Sequence, residues 1–133
     1  MKVKYFDLKN KRVFISGGGS GIGATIVEHF CEQHSEVYFI DINIKASKQL
    51  IKKIKKKRFR VPKFIECNVL DIKKLQNIIK DIISKKGPIH CLINSAANDD
   101  RHSTEQVDEK YWENRMGINL KHYFFAAQSV VKG

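Results

Sequence analysis

Four short apolar runs, each followed by a segment of helical period, constrain this chain more than any other feature. Arg12 to Ser16 reads as a buried strand stopped by Gly17-Gly18-Gly19; Ile22, Ile26, Val27, Phe30 and Cys31 then recur at the spacing of one helix face. Val37 to Ile40 is a second strand ended by Asp41. Ala46, Leu50, Ile51 and Ile54 mark the next helix, which runs into a lysine cluster and stops before Pro62. Phe64 to Cys67 predicts a third strand. Asp71 can cap a helix whose stripe is Ile72, Leu75, Ile78, Ile79, Ile82 and Ile83, closed by Gly87-Pro88. Ile89 to Ile93 predicts a fourth strand, and a polar loop follows from Asn94 to Gln106. Trp112, Met116, Leu120, Tyr123, Phe124, Ala127, Val130 and Val131 then share one broad face of a long helix ending at Gly133. Four βα units in succession predict an α/β fold, a doubly wound parallel sheet with helices on both faces, with residues 1–133 forming one domain.

Composition narrows the function classes. With 42% hydrophobic and 29% charged residues the chain is an ordinary globular one. No run approaches the ~18 apolar residues of a membrane span, and Met1 to Asp7 holds no apolar core of signal-peptide length. A cytoplasmic protein with no membrane partner is expected. Cys31, Cys67 and Cys91 lie far apart inside apolar runs, which predicts reduced, buried thiols. Neither they nor the five histidines have metal-ligand spacing, so no metal is expected. Of the net charge of +11, eight positive charges fall between Lys48 and Arg60 with no acidic residue among them. Apart from Phe59 this run lacks aromatics for base stacking, so a solvated helix end is expected rather than a nucleic-acid partner.

The segment Ser16-Gly17-Gly18-Gly19-Ser20-Gly21-Ile22-Gly23 lies between the first strand and the first helix. Glycines there permit a sharp turn and close approach of the backbone to a pyrophosphate, and the helix N-terminus offers N–H groups and positive dipole. Asp41 ends the next strand 18 positions beyond Gly23, close to the ~20 expected of a ribose-binding carboxylate. A helix N-cap is the alternative role for Asp41. A carboxylate accepts hydrogen bonds from ribose hydroxyls but repels a 2′-phosphate, and no cation stands among Gly18, Gly19 and Ser20, so NAD is expected over NADP.

These residues resemble the short-chain dehydrogenase/reductase family, whose T-G-x-x-x-G-x-G pattern the glycine segment follows with Ser16 in place of threonine. Asn68-Val69 falls where members carry Asp-Val against adenine, and Asn94-Ser95-Ala96-Ala97 is similar to their N-N-A-G turn. Asn119, in Gly117-Ile118-Asn119-Leu120, matches the asparagine of the family's catalytic tetrad; a plain kink or a polar contact is the alternative. The resemblance implies cofactor contacts at Gly17, Ser20, Gly21, Ile22, Gly23, Asp41, Ile42, Asn68, Val69, Asn94 and Ala96, with Asn119 catalytic. The stretches Asn98 to His102 and Asn119 to Phe125 resemble sugar-dehydrogenase members. Arg101 and His102 either contact a hydroxylated substrate or belong to a solvated loop.

The resemblance covers the first half of the family's Rossmann-like fold, about four βα units. The family's serine and its Y-x-x-x-K pair fall beyond that half. Tyr5 to Lys9 has the tyrosine–lysine spacing but precedes the first strand, and Tyr111 to Arg115 offers an arginine that suits the lysine role poorly. The 133 residues alone are therefore expected to bind NAD(H) without turnover. A sheet edge or the apolar last helix, which joins the subunit interface in the family, predicts a homo-oligomer. A non-catalytic nucleotide-binding or regulatory protein is the alternative reading. A polyanion-binding module acting through Lys48 to Arg60 ranks behind it.

Overall fold

The computed structural model of the chain describes residues 3–131. Four strands, β1 (Arg12–Ser16), β2 (Glu36–Asp41), β3 (Lys63–Glu66) and β4 (Cys91–Asn94), form one parallel sheet in the order β3-β2-β1-β4. All five residues of β1 are buried, as its central place requires. Side chains alternate between two cores. Val13, Ile15, Val37 and Phe39 meet Val27 and Cys31 of α1 (Gly21–Glu32) and Leu50 and Ile54 of α2 (Ile44–Lys56). Phe14, Tyr38 and Ile40 meet Leu75, Ile79 and Ile82 of α3 (Ile72–Lys86) and Ala126 of α5 (His122–Val131). Each large apolar side chain so enclosed contributes about 1.5–3 kcal/mol.

The helix boundaries follow local chemistry. Asp71 Oδ1 accepts from Lys74 N at 2.9 Å, the expected N-cap, and Gly87 closes α3 at φ +90°. Most of the lysine cluster is exposed, although Lys53 and Lys57 both pair with Glu28 of α1.

Three expectations need correction. First, Ile22 is 78% exposed, not part of the α1 core face; Gly23, Val27 and Cys31 hold that face at i, i+4 and i+8, which turns Ile22 outward. Second, β4 begins at Cys91 rather than Ile89. His90 N donates to Arg12 O at 2.9 Å, but the Arg12 N–H goes to His90 Nδ1 at 2.9 Å and the Arg12 guanidinium to Pro88 O at 2.8 Å, so only one backbone bond joins the two segments there. Third, the last element is not one uniform helix. α4 (Glu109–Met116) passes into a π-helical turn, Gly117–Lys121, before α5. Its core-facing residues are Gly117, His122, Ala126 and Ser129, while Trp112, Met116, Leu120, Phe124 and Val131 are exposed. Small residues let α5 lie close to α3 and β4, and the broad apolar stripe is left facing away from the core. The helix end expected at Gly133 lies outside the described residues.

Candidate functional site

Strand order reverses between β1 and β4, and the crevice at such a switch point, beyond the strands' C-terminal ends, is where open α/β sheets bind ligands. The sequence-predicted residues converge there. Gly17 and Gly18 both donate to Ile40 O, at 2.8 and 3.1 Å, folding the turn back over the end of β2. Gly17 adopts φ +69°, and a Cβ on Gly23 would lie 1.9 Å from Gly17 O, so the start of α1 rests directly on the turn. Ser20 is the N-cap of α1 in extended conformation, and its hydroxyl makes no capping bond. No acidic residue stands in the first turn of α1.

Asp41, at the tip of β2, is fixed from both sides. Oδ2 accepts from Gly19 N and Oδ1 from Asn43 N, each at 2.8 Å. The cap of α2 is Asn43, whose side chain accepts from Ala46 N at 3.0 Å, so the N-cap alternative for Asp41 fails. Ile42 beside it is 68% exposed. Beyond β3, Asn68 is exposed and its Oδ1 accepts from Leu70 N at 3.0 Å. Val69 is only 8% exposed and packs in the α3-side core, so its backbone rather than its side chain is what it can offer a ligand.

The turn after β4 is tied to β1. Ser16, fully buried, places Oγ 3.2 Å from Ser95 N and 3.3 Å from Ala96 N and accepts from both. A Cβ on Gly17 would lie 2.6 Å from Ala96 Cα, so Ala96 walls the glycine turn. Asn94 Oδ1, at the C-terminal end of β4, is enclosed without a hydrogen-bond partner. Asn119 sits in the π-helical turn and exchanges two bonds with Asn98, Oδ1 accepting from Asn98 N at 2.8 Å and Nδ2 donating to Asn98 O at 2.9 Å. A π-helical turn and a polar contact thus occur together at this asparagine.

Sequence reasoning passed over His122 and Tyr123. His122 is fully buried, and burial holds its imidazole below the ordinary histidine range against the pull of the Ala96 carbonyl. Its signal was a polar residue three positions past Asn119, inside an otherwise apolar helix. Arg101 remains exposed, while His102 stacks on Tyr111 at 4.2 Å. Arg115 lies over the Tyr111 ring and reaches Asp100 at 3.4 Å, forming a polar loop cluster. Tyr5 lies near Gln33 beyond the C-terminal end of α1, at the opposite end of the strands. Cys31 and Cys67 are buried and Cys91 half-buried, all as free thiols; burial pushes the Cys31 thiol up to about 12, far from a nucleophile's range.

A parallel sheet with a glycine turn at its switch point, a carboxylate fixed on that turn and an unpartnered Asn94 Oδ1 define the dinucleotide-fold class, and the donor set fits such a ligand. The family model described as short chain dehydrogenase matches residues 11–133, and the chain belongs to that family, whose members use nicotinamide dinucleotides. It is 37% identical over 129 residues to D-xylose 1-dehydrogenase of Caulobacter vibrioides, covering 97% of this chain and 50% of that protein. It is 36% identical over 124 residues to a Rhizobium meliloti protein named "Probable galactose dehydrogenase GalD", covering 93% of this chain and 48% of that one. The chain thus spans about half the length of the curated relatives it matches. A Serratia marcescens short-chain dehydrogenase/reductase superposes with a TM-score of 0.86 at 22% identity, over 94% of this chain and 51% of that one. Thermoplasma acidophilum aldohexose dehydrogenase does so at 0.81 and 24%, over 96% and 46%. Both establish the fold.

Proposed function

We propose that this chain is the cofactor-binding half of an NAD-dependent dehydrogenase that oxidises a sugar or polyol hydroxyl. The observation that carries the reading is the Asp41 carboxylate, held 2.8 Å from Gly19 N at the rim of the glycine turn. Each of its oxygens keeps a lone pair for a ribose hydroxyl, and its charge disfavours the 2′-phosphate of NADP. Gly17, Gly21, Ile22 and Gly23 present backbone to the pyrophosphate, with the Ser20 hydroxyl available as a further donor. Ile42 offers an apolar surface beside the adenine, and Asn68 Oδ1 has a second lone pair for its amino group. The Val69 backbone completes that side, and Asn94 and Ala96 form the opposite wall.

A dinucleotide held by these residues would supply the hydride acceptor for the substrate carbon. Asn119 commits its side chain to Asn98, so the group it offers a water in a proton relay is its main-chain carbonyl. A positioned acid/base supplies 10²–10⁴-fold in such reactions, and none among the described residues stands at the crevice to fill that role, so in this reading the 133 residues alone bind without turnover. The sugar or polyol class rests on the named relatives, D-xylose and glycerol dehydrogenases among them.

Titration of the chain with NADH and NADPH, followed by cofactor fluorescence, tests the reading. NADH binding about tenfold or more tighter than NADPH, with the preference lost in Asp41→Ala, is the expected outcome. Equal affinity, or a preference that survives Asp41→Ala, contradicts it.

A further inference from the structure

We propose that His122 and Tyr123 are positioning residues that jointly clamp the Ala96 carbonyl and so set the wall on which the dinucleotide lies; this rests on the cofactor reading above. The Ala96 peptide is held from both sides of the crevice wall. Its N–H points to Ser16 Oγ, and its Cα lies so close to Gly17 that a methyl there would approach within 2.6 Å. On the other side, Ala96 O accepts from two donors in adjacent positions of α5, His122 Nε2 at 3.1 Å and Tyr123 Oη at 3.2 Å. A carbonyl only accepts, so the bond to Ala96 O requires the proton on Nε2. Nδ1 is buried and makes no hydrogen bond of good geometry, and the Ile118 carbonyl is the second backbone acceptor beside the ring.

The two rings meet edge to face at 4.3 Å, which fixes the direction of both donors. The π-helical turn ending at Lys121 sets the rotation of α5 that brings these two side chains to the β4 end, with Asn119 reaching Asn98 from the same turn. Three side chains of one helical segment therefore hold Ala96 and Asn98, and the glycine turn rests on the first of these. Loss of either donor lets the Ala96 peptide rotate away from Gly17 and widens the crevice.

The test compares Tyr123→Phe, His122→Leu and His122→Gln with the unaltered chain, by NADH affinity and by amide hydrogen exchange. Tyr123→Phe keeps the ring and is the gentle variant; glutamine at 122 restores a donor at the reach of Nε2. Expected are about fivefold weaker NADH binding in Tyr123→Phe, a larger loss in His122→Leu, and recovery in His122→Gln. Exchange at Ser95 and Ala96 should quicken while Phe14 and Phe39 amides in the central strands keep their protection. A merely structural role would lower protection everywhere and leave NADH affinity unchanged. Unchanged exchange at Ser95 and Ala96 in both Tyr123→Phe and His122→Leu overturns the clamp. Changed exchange with unaltered NADH affinity overturns its bearing on the cofactor. Should the unaltered chain bind no NADH, the cofactor reading and the wall's role fall together, and the exchange data still decide whether the clamp exists.

Discussion

Gly23→Ala is the sharpest perturbation of the glycine turn. The added methyl would sit 1.9 Å from Gly17 O, 2.8 Å from Gly17 C and 3.2 Å from Gly18 Cα, all backbone atoms with no rotamer to yield. Ordinary contact requires the helix and the turn to separate by about 1.5 Å. Overpacking of this kind costs about 2–4 kcal/mol, which lowers the melting temperature by about 8–15 °C in a chain of this size. The same displacement carries the turn's N–H groups out of reach of a pyrophosphate. Two lost charge-assisted bonds at about 1.5 kcal/mol each weaken NADH binding about a hundredfold. Gly21→Ala is the control: φ there is +54°, but no atom lies within 4 Å of the new methyl. It should cost about 1 kcal/mol in strain and weaken binding far less than Gly23→Ala does. Differential scanning calorimetry and fluorescence titration read both quantities. A Gly23→Ala chain that melts within about 2 °C of the parent and binds NADH within about threefold would refute this account of the turn.

Stability should fall on acidification in two stages. His122 is held below the ordinary histidine pKa of 6.5, so the unfolded chain takes up a proton first and stability declines from about pH 6.5 toward the lowered value; His122→Gln removes this stage. Burial raises the Glu36 carboxyl, but hydrogen bonds from Tyr38 and Arg12 outweigh it; Glu28 is lowered by Lys53 and Lys57. Both folded values lie below the ordinary 4.5, so their contribution is full above that pH and is lost as pH falls through the lowered values. Urea midpoints across pH 3–8 measure this, and Glu36→Gln should flatten the lower stage. The exposed stripe of Trp112, Met116, Leu120 and Phe124 predicts self-association, which sedimentation of the parent and of Leu120→Glu tests. The parent should run as a dimer or larger and the variant as a monomer; a monomeric parent at micromolar concentration contradicts it.

Much of the fold was legible because strand and helix residues carry their own period. Arg12 to Ser16 reads as a central strand since every residue is fit for burial, and Asp71 and Gly87 announce the ends of α3 through their capping chemistry. The glycine turn and Asp41 were legible because spacing alone places them at adjacent strand ends. The orientation of the last helical segment was not. Trp112, Met116, Leu120 and Phe124 repeat every four residues as a core face would, and periodicity does not distinguish a face turned to the core from one turned outward. The residues that do face the core, Gly117, His122, Ala126 and Ser129, are small or polar and carry no hydrophobic signal. The Ala96 clamp was illegible for a related reason: its donors and acceptor are 26 and 27 positions apart and meet only through the π-helical turn.

Mapping backbone amide shifts of the ¹⁵N-labelled chain during NADH addition tests the central claim most directly. The cofactor account predicts perturbations that saturate together at Gly17 to Gly23, Asp41 to Ile42, Asn68 to Val69 and Asn94 to Ala96, with the exposed lysines of α2 undisturbed. Shifts confined to the Lys48 to Arg60 run, or none at millimolar NADH, would contradict it.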